Sequence, residues 1–78
     1  MNEKDVREAV KQIRHALARS PLAADTAEGI HTFWLKWAEP RPHWTVTEKA
    51  LLKLERKGEV ERVRLEGGRE MWRKATKS

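Results

Sequence analysis

The 78-residue chain is predicted to form a small α+β domain, in which three helices precede a C-terminal two-stranded β-hairpin. Three segments carry apolar residues at helical spacing, and capping residues, prolines or a glycine bound them. After Gly58 the pattern changes to alternation around a glycine pair, which is typical of a hairpin. A chain of this length forms one domain, which we expect to span residues 1–78.

The first helix is predicted over about residues 3–19. Asn2 is a suitable N-cap. Ser20-Pro21 ends the helix, because a residue before proline is displaced from the helical region of backbone space. The apolar stripe follows spacings of four, three and four and consists of Val6, Val10, Ile13 and Leu17.

The second helix is predicted over about residues 26–38. Asp25 and Glu28 have the spacing of a capping box, and Pro40 and Pro42 prevent continuation. The apolar positions lie at i, i+3, i+4 and i+7 and are Ile30, Phe33, Trp34 and Trp37. Since these side chains share one face, we expect them in the core rather than on a binding surface.

The third helix is predicted over about residues 46–57. Thr45 and Glu48 have capping-box spacing, and Gly58 stands where a left-handed C-terminal cap is expected. The side predicted to be buried consists of Val46, Ala50, Leu51 and Leu54.

The hairpin is predicted over about residues 59–74, with Gly67-Gly68 as a two-residue type I′ turn. That turn places Val63 opposite Trp72, whereas a slip of one residue would exchange the two faces. The predicted apolar face holds Val63, Leu65 and Trp72. The predicted outward face holds Arg62, Arg64, Met71 and Arg73.

Composition restricts the class of protein. The chain has no cysteine, which excludes disulfides and thiol chemistry. No stretch approaches the roughly 18 apolar residues of a membrane span, and the N-terminus lacks the apolar run of a secretory signal. We therefore expect a cytoplasmic protein that is not inserted in a membrane. A hydrophobic content of 38% favours a folded domain over disorder.

Charge is unevenly distributed. Residues 1–39 carry six Lys/Arg and six Asp/Glu, whereas residues 40–78 carry eleven and six and so account for the formal net charge of +5. Basicity confined to one half of a chain favours a surface that faces a polyanion, and a solvated basic surface is the alternative.

Residues 45–74, TVTEKALLKLERKGEVERVRLEGGREMWRK, resemble the third helix and wing of winged helix-turn-helix domains. Residues 23–35 also resemble stretches of small uncharacterised bacterial proteins. The winged-helix resemblance implies duplex DNA binding and transcription regulation, with helix three in the major groove and the hairpin on the adjacent backbone or minor groove. The connection from Glu39 to Trp44 departs from the pattern, because it has about six residues, whereas the helix-turn-helix turn has three or four.

Seven cationic residues are the candidate DNA contacts. Helix three is predicted to direct its cations outward, where they can reach phosphates or guanine edges. Arginines on the hairpin suit phosphates or a narrow groove, although interleaved glutamates make cross-strand ion pairs the competing interpretation. The candidate contacts are Lys49, Lys53, Arg56, Arg62, Arg64, Arg69 and Arg73.

Trp44 and Leu52 are candidate contacts to a protein partner. Trp44 precedes helix three outside any helical stripe; it either clamps helix three against helix two or stands exposed as a docking anchor. Leu52 lies on the predicted outer face of helix three. The alternative function is therefore a protein-interaction module or an accessory subunit. Winged-helix regulators commonly act as dimers, so a homodimer also stays open.

Catalytic and metal-binding patterns are weak. Glu28-x-x-His31 has the spacing of a metal-binding pair, but the sequence supplies neither a second such motif nor cysteine ligands. There is no phosphate-binding glycine loop and no nucleophile with a plausible base. We expect neither an enzyme, nor a cofactor, nor a bound metal.

Overall fold

The fold comes from a computed structural model that describes residues 2–76. Three helices and a three-stranded sheet alternate along the chain. The helical elements are α1 (Glu3–Arg19), α2 (Ala27–Gly29, continued by a π-helical turn over Ile30–Trp34) and α3 (Thr45–Arg56). The strands are β1 (Ala24–Asp25), β2 (Val60–Arg64) and β3 (Glu70–Lys74).

The antiparallel sheet has the order β1-β3-β2, so the sequence-based expectation of two strands was wrong. β1 adds a short edge through the pairs Ala24–Arg73 and Asp25–Trp72. A strand of two residues cannot display an alternating pattern, which explains why the sequence did not predict it.

α1 has the predicted bounds and cap. The Oδ1 of Asn2 accepts a hydrogen bond from the backbone N–H of Lys4 at 2.9 Å. The buried stripe differs from the prediction at one position, because Ala9 is buried whereas Val10 packs against the core half-buried. The other buried residues of α1 are Val6, Ile13 and Leu17.

The second helix is shorter than predicted and begins differently. Thr26, rather than Asp25, is its N-cap, and its hydroxyl accepts from the N–H of Gly29 at 3.1 Å. Asp25 instead accepts from the N–H of Thr26 at 2.7 Å. The helix ends at Trp34, four residues before the predicted end.

Phe33 is 82% exposed, so its predicted place in the core was wrong. The cause is the π-helical turn, in which the N–H of Leu35 donates to the carbonyl of Ile30 at 3.2 Å. A π turn spans one more residue than an α turn and rotates the following side chains relative to a regular helix. Leu35 consequently occupies the core, while Trp34 and Trp37 are half-buried against it.

His31 fixes the segment between α2 and α3. It is only 3% exposed. Its Nε2 lies 2.8 Å from the Pro42 carbonyl and its Nδ1 lies 2.6 Å from the Thr47 hydroxyl. Since a carbonyl can only accept, Nε2 carries the proton and Nδ1 accepts from Thr47. The imidazole thus ties this segment to α3.

α3 starts one residue earlier than predicted, and the Thr45–Glu48 capping box does not form. Trp44 occupies the N-cap position without a side-chain cap, because Thr45 is already helical. The C-terminus confirms the glycine cap. Gly58 has a φ of 75°, and its N–H donates to Glu55 while that of Glu59 donates to Leu54, which is the Schellman pattern.

The hairpin register is shifted by one residue from the prediction. Its loop has three residues, Glu66–Gly68, and is closed by a bond of 2.7 Å from the N–H of Leu65 to the carbonyl of Arg69. Both loop glycines have a φ of 82°, a conformation that favours glycine. Val63 therefore faces Met71, and Arg62 faces Trp72.

The shifted register also overturns the predicted faces. Val60 and Trp72 point into the core and share their side of the sheet with Arg62 and Arg64. Arg73 lies on the opposite side with the half-buried residues Val63 and Met71. The predicted outward face that carries Arg62, Arg64 and Arg73 together therefore does not form.

One hydrophobic core joins all these elements. It is built from α1, α2, α3 and one face of the sheet, and its largest fully buried side chains include Ile13, Ile30, Leu51 and Leu54. No helix within residues 2–76 is long and apolar enough to cross a membrane.

Candidate nucleic-acid interface

The outer side of α3 presents exposed cations. Ala50 and Leu54 bury the inner side, and this leaves Lys49, Leu52 and Arg56 on the surface. Neither Lys49 nor Arg56 forms an ion pair within the described part of the chain. Both side chains are therefore exposed and free to meet a ligand, and their role as DNA contacts stays a prediction.

The two edges of α3 differ in charge. On one edge Lys53 pairs with Glu3 of α1, with Nζ 3.3 Å from Oε1. On the other edge Glu55 is bound by Arg62 of the hairpin. Glu55 therefore joins α3 to the hairpin, and the cationic edge of α3 is the one next to α1.

Arg62 is committed to contacts within the protein. Its Nη2 and Nε lie 2.8 and 3.1 Å from the carboxylate oxygens of Glu55, and its Nη1 lies 3.3 Å from Glu70. The hydrogen bonds from Arg62 lower the pKa of Glu55 from its ordinary value and raise that of Arg62 itself. A phosphate would have to displace this arrangement to engage Arg62.

Arg64 and Arg73 also pair with glutamates. Arg64 Nη2 lies 3.0 Å from Glu70, yet the Arg64 side chain stays 74% exposed. Arg73 Nε lies 2.6 Å from Glu61, and this hydrogen bond lowers the pKa of Glu61 from its ordinary value. The cross-strand ion pairs that the sequence left open as the competing interpretation are therefore present.

Arg69 stands at the end of the hairpin loop. It is exposed and makes no ion pair with any other residue in the 2–76 range. Exposed ion pairs contribute little, typically below about 1 kcal/mol, so a polyanion can compete for the well-exposed Arg64 as well. Arg69 and Arg64 are thus the hairpin arginines best placed to contact a ligand.

Trp44 is half-buried and packs against the core, so of the two alternatives that the sequence left open, a fully exposed anchor is not what forms. Its ring centroid lies 5.5 Å from that of His43. Leu52 is 36% exposed, which places it at the border between surface and interior. The structure brings Leu52 and the α3 cations to one surface, whereas Trp44 stands at the N-terminus of α3.

A basic groove along α1 was missed by the sequence-based reasoning. It has a volume of about 1180 Å³, and no Asp or Glu lines it. Seven cationic residues do, namely Arg7, Lys11, Arg14, Arg19, Lys36, Lys53 and Lys57. The net charge of zero for residues 1–39 concealed it, because acidic residues that do not line the groove, such as Glu3, Glu28 and Glu39, cancel its cations in the count.

The described residues contain no group of three or more His, Asp or Glu side chains arranged to hold a metal ion. Glu28 is exposed whereas His31 is buried against Thr47 and Pro42, so this pair does not form a site.

Comparison with known proteins gives no family. No protein-family model, no curated protein and no solved structure matches this chain.

Proposed function

We propose that this chain is a duplex-DNA-binding domain on a winged-helix scaffold, with α3 as the helix that enters the major groove. The observation that carries the proposal is the exposed and unpaired state of Lys49 and Arg56 on the outer side of α3, within residues 2–76. A helix in the major groove needs cations and polar groups on that side, and a leucine such as Leu52 can contact a thymine methyl group.

The order of elements supports the scaffold. A helix, a short strand, two helices and a hairpin follow one another, and the first strand joins the hairpin in one sheet. In a winged-helix domain the hairpin lies beside the recognition helix. Here the Glu55–Arg62 ion pair holds α3 and the hairpin together in that relation.

The hairpin has two separate roles in this proposal. Arg62 and Arg73 hold the hairpin in place through Glu55 and Glu61, whereas Arg64 and Arg69 near its loop reach the DNA backbone. The domain's formal net charge of +5 favours association with DNA of any sequence. A role in transcription regulation follows if a preferred site exists.

The test is the fluorescence anisotropy of a labelled random-sequence duplex, titrated with the protein at 50 and 200 mM salt. We expect micromolar binding at low salt and a loss of about tenfold or more at 200 mM, which corresponds to two or more neutralised phosphates. No binding at 50 mM overturns the proposal.

A matched pair of variants assigns the contact to α3. Lys49→Gln/Arg56→Gln removes two exposed cations from α3, and Lys4→Gln/Arg41→Gln removes two exposed cations elsewhere. We expect the α3 variant to reduce affinity several-fold more than its control. Equal losses would show that α3 does not position the DNA.

A protein-interaction module is the second candidate, because Phe33 is 82% and Leu22 is 97% exposed. Exposed large apolar side chains are common at protein interfaces. A complex centred on Phe33 would tolerate salt and would be lost in Phe33→Ala. A second copy of the chain is the simplest partner, and sedimentation of the wild-type protein at micromolar concentration tests for that homodimer.

A further inference from the structure

The groove along α1 collects cations from three parts of the chain. α1 contributes Arg7, Lys11, Arg14 and Arg19; α3 contributes Lys53 and its C-cap residue Lys57 follows; and Lys36 comes from the segment after the π turn. These residues are distant in sequence, so the fold itself assembles the patch.

Lys36 is held against α1 by a pair of reciprocal hydrogen bonds. Its backbone N–H donates to Gln12 Oε1 at 2.8 Å, and Gln12 Nε2 donates to the Lys36 carbonyl at 2.9 Å. The segment that carries Lys36 is therefore fixed relative to the α1 cations. This arrangement sets the width of the groove before any ligand arrives.

Most of the groove cations are uncommitted. Arg14 pairs with Glu59 and Lys53 pairs with Glu3, but both partners lie outside the lining of the groove. The other five cations form no ion pair within the part of the chain that the structure describes. Several positive charges that face one concavity repel one another, and a bound polyanion would relieve that repulsion.

The spacing of the cations favours a polymer over a small anion. Arg7, Lys11 and Arg14 follow one another by four and three residues along α1, which separates neighbouring cations by about 4.5 to 6 Å along the helix axis. A small anion would use one or two of these side chains. A nucleic-acid strand, with one negative charge for each nucleotide, can use the whole series.

The groove adjoins the proposed DNA-binding face of α3. Lys49 and Lys53 lie four residues apart on one stripe of α3, and Lys57, a further four residues along the chain, is its C-cap. Lys49 belongs to the exposed outer side, and the other two line the groove. The stripe makes a continuous cationic path from α3 to α1.

We propose that the α1 groove is a second nucleic-acid contact, which binds the phosphodiester backbone that flanks the segment read by α3. This inference rests on the proposed function, since both surfaces engage the same duplex. The footprint on DNA then extends to the α1 side of the domain as well as to the hairpin side.

The experiment compares two triple variants that lower the formal net charge from +5 to +2. The groove variant is Lys11→Gln/Arg19→Gln/Lys36→Gln, and the control is Lys4→Gln/Arg41→Gln/Lys74→Gln. All six side chains are exposed, and each triple replaces two lysines and one arginine. Circular dichroism and thermal melting verify that both variants are folded.

The same labelled duplex is titrated at several salt concentrations. We expect the groove variant to bind at least about tenfold more weakly than the control and to show a salt slope smaller by about 2 to 3, since each lost phosphate contact removes about 0.9. If both triples bind equally and the wild type binds well, the groove is not a contact and the inference fails while the proposed function stands.

An acidic polypeptide is the competing occupant, and polyglutamate is the probe for it. If the wild type binds polyglutamate more tightly than the duplex at equal salt, and the groove variant alone loses that binding, the groove serves an acidic protein and the inference is overturned. If the wild type does not bind duplex at all, the proposed function fails and the inference fails with it.

Discussion

The guanidinium of Arg62 lies over the ring of Trp72, with its central carbon 4.9 Å from the ring centroid. Trp72 is 4% exposed, so Arg62 covers one of the large core side chains at the sheet surface. The same guanidinium binds Glu55 of α3 and Glu70 of the neighbouring strand. One side chain thus links the sheet, the core and α3.

Arg62→Ala should destabilise the domain by about 1 kcal/mol. A partly exposed cation–π contact contributes about 0.5–1 kcal/mol, and solvent screening reduces the added value of the two ion pairs. For a domain of this size the change corresponds to a decrease in Tm of about 4–8 °C. Urea denaturation measures it. Arg64→Ala, which removes only the exposed pair with Glu70, is the control, and an equal effect of both variants would contradict the role given to Arg62.

Phe33→Ala should leave the free energy of unfolding within about 0.5 kcal/mol of the wild type, because Phe33 is on the surface. Ile30→Ala, three residues earlier in the chain, should cost about 2–5 kcal/mol because that side chain is 1% exposed. Chemical denaturation of both variants distinguishes the π turn from a regular helix. In a regular helix the two residues would share a face and both substitutions would be costly.

The sequence predicts the elements better than the details that depend on long-range contacts. Capping and periodicity place α1 at its observed bounds, and Gly58 correctly marks the end of α3. The π turn at Ile30–Trp34 carries no local signal, since the pattern of apolar residues there fits a regular helix. The core position of Leu35 rather than Phe33 becomes visible only once the tertiary packing is known.

The candidate site shows the same division. The outward position of Lys49 and Arg56 follows from helical periodicity alone and is confirmed as exposure. The α1 groove requires residues from three parts of the chain to meet, and a count of charges in each half of the sequence does not reveal it. The ion pairs of Arg62 and Arg73 depend on the hairpin register, and the register predicted from the sequence was wrong by one residue.

The hairpin register itself is testable by NMR. The three-residue loop places Val63 opposite Met71 and Arg62 opposite Trp72. We therefore expect cross-strand nuclear Overhauser effects between the backbone protons of Val63 and Met71. The two-residue turn that the sequence suggested would instead give these effects between Val63 and Trp72. Observing the second set would contradict the register shown here and, with it, the contact between Arg62 and Trp72.

The free energy of unfolding should fall as the pH drops through the region in which histidine titrates. Burial is the largest influence on the pKa of His31 and lowers it from its ordinary value of 6.5, which outweighs the hydrogen bond to the Pro42 carbonyl. The unfolded chain then takes up the proton more readily than the folded one. The contribution of neutral His31 to stability is therefore fully present above about pH 6.5, and it is lost as the pH falls toward the lower pKa of His31 in the folded state.

Equilibrium urea denaturation between pH 7.5 and 5 measures this loss, and His15→Gln serves as the control because His15 is exposed. His31→Gln should be less stable at neutral pH, because it disturbs the bonds to Thr47 and Pro42, and should have a flatter pH dependence over this interval. If the pH dependence of stability is unchanged in His31→Gln but reduced in His15→Gln, the titrating group is His15 and the prediction fails. Carboxylates such as Glu55, whose pKa is lowered by Arg62, contribute only at more acidic pH, so the two effects separate along the pH axis.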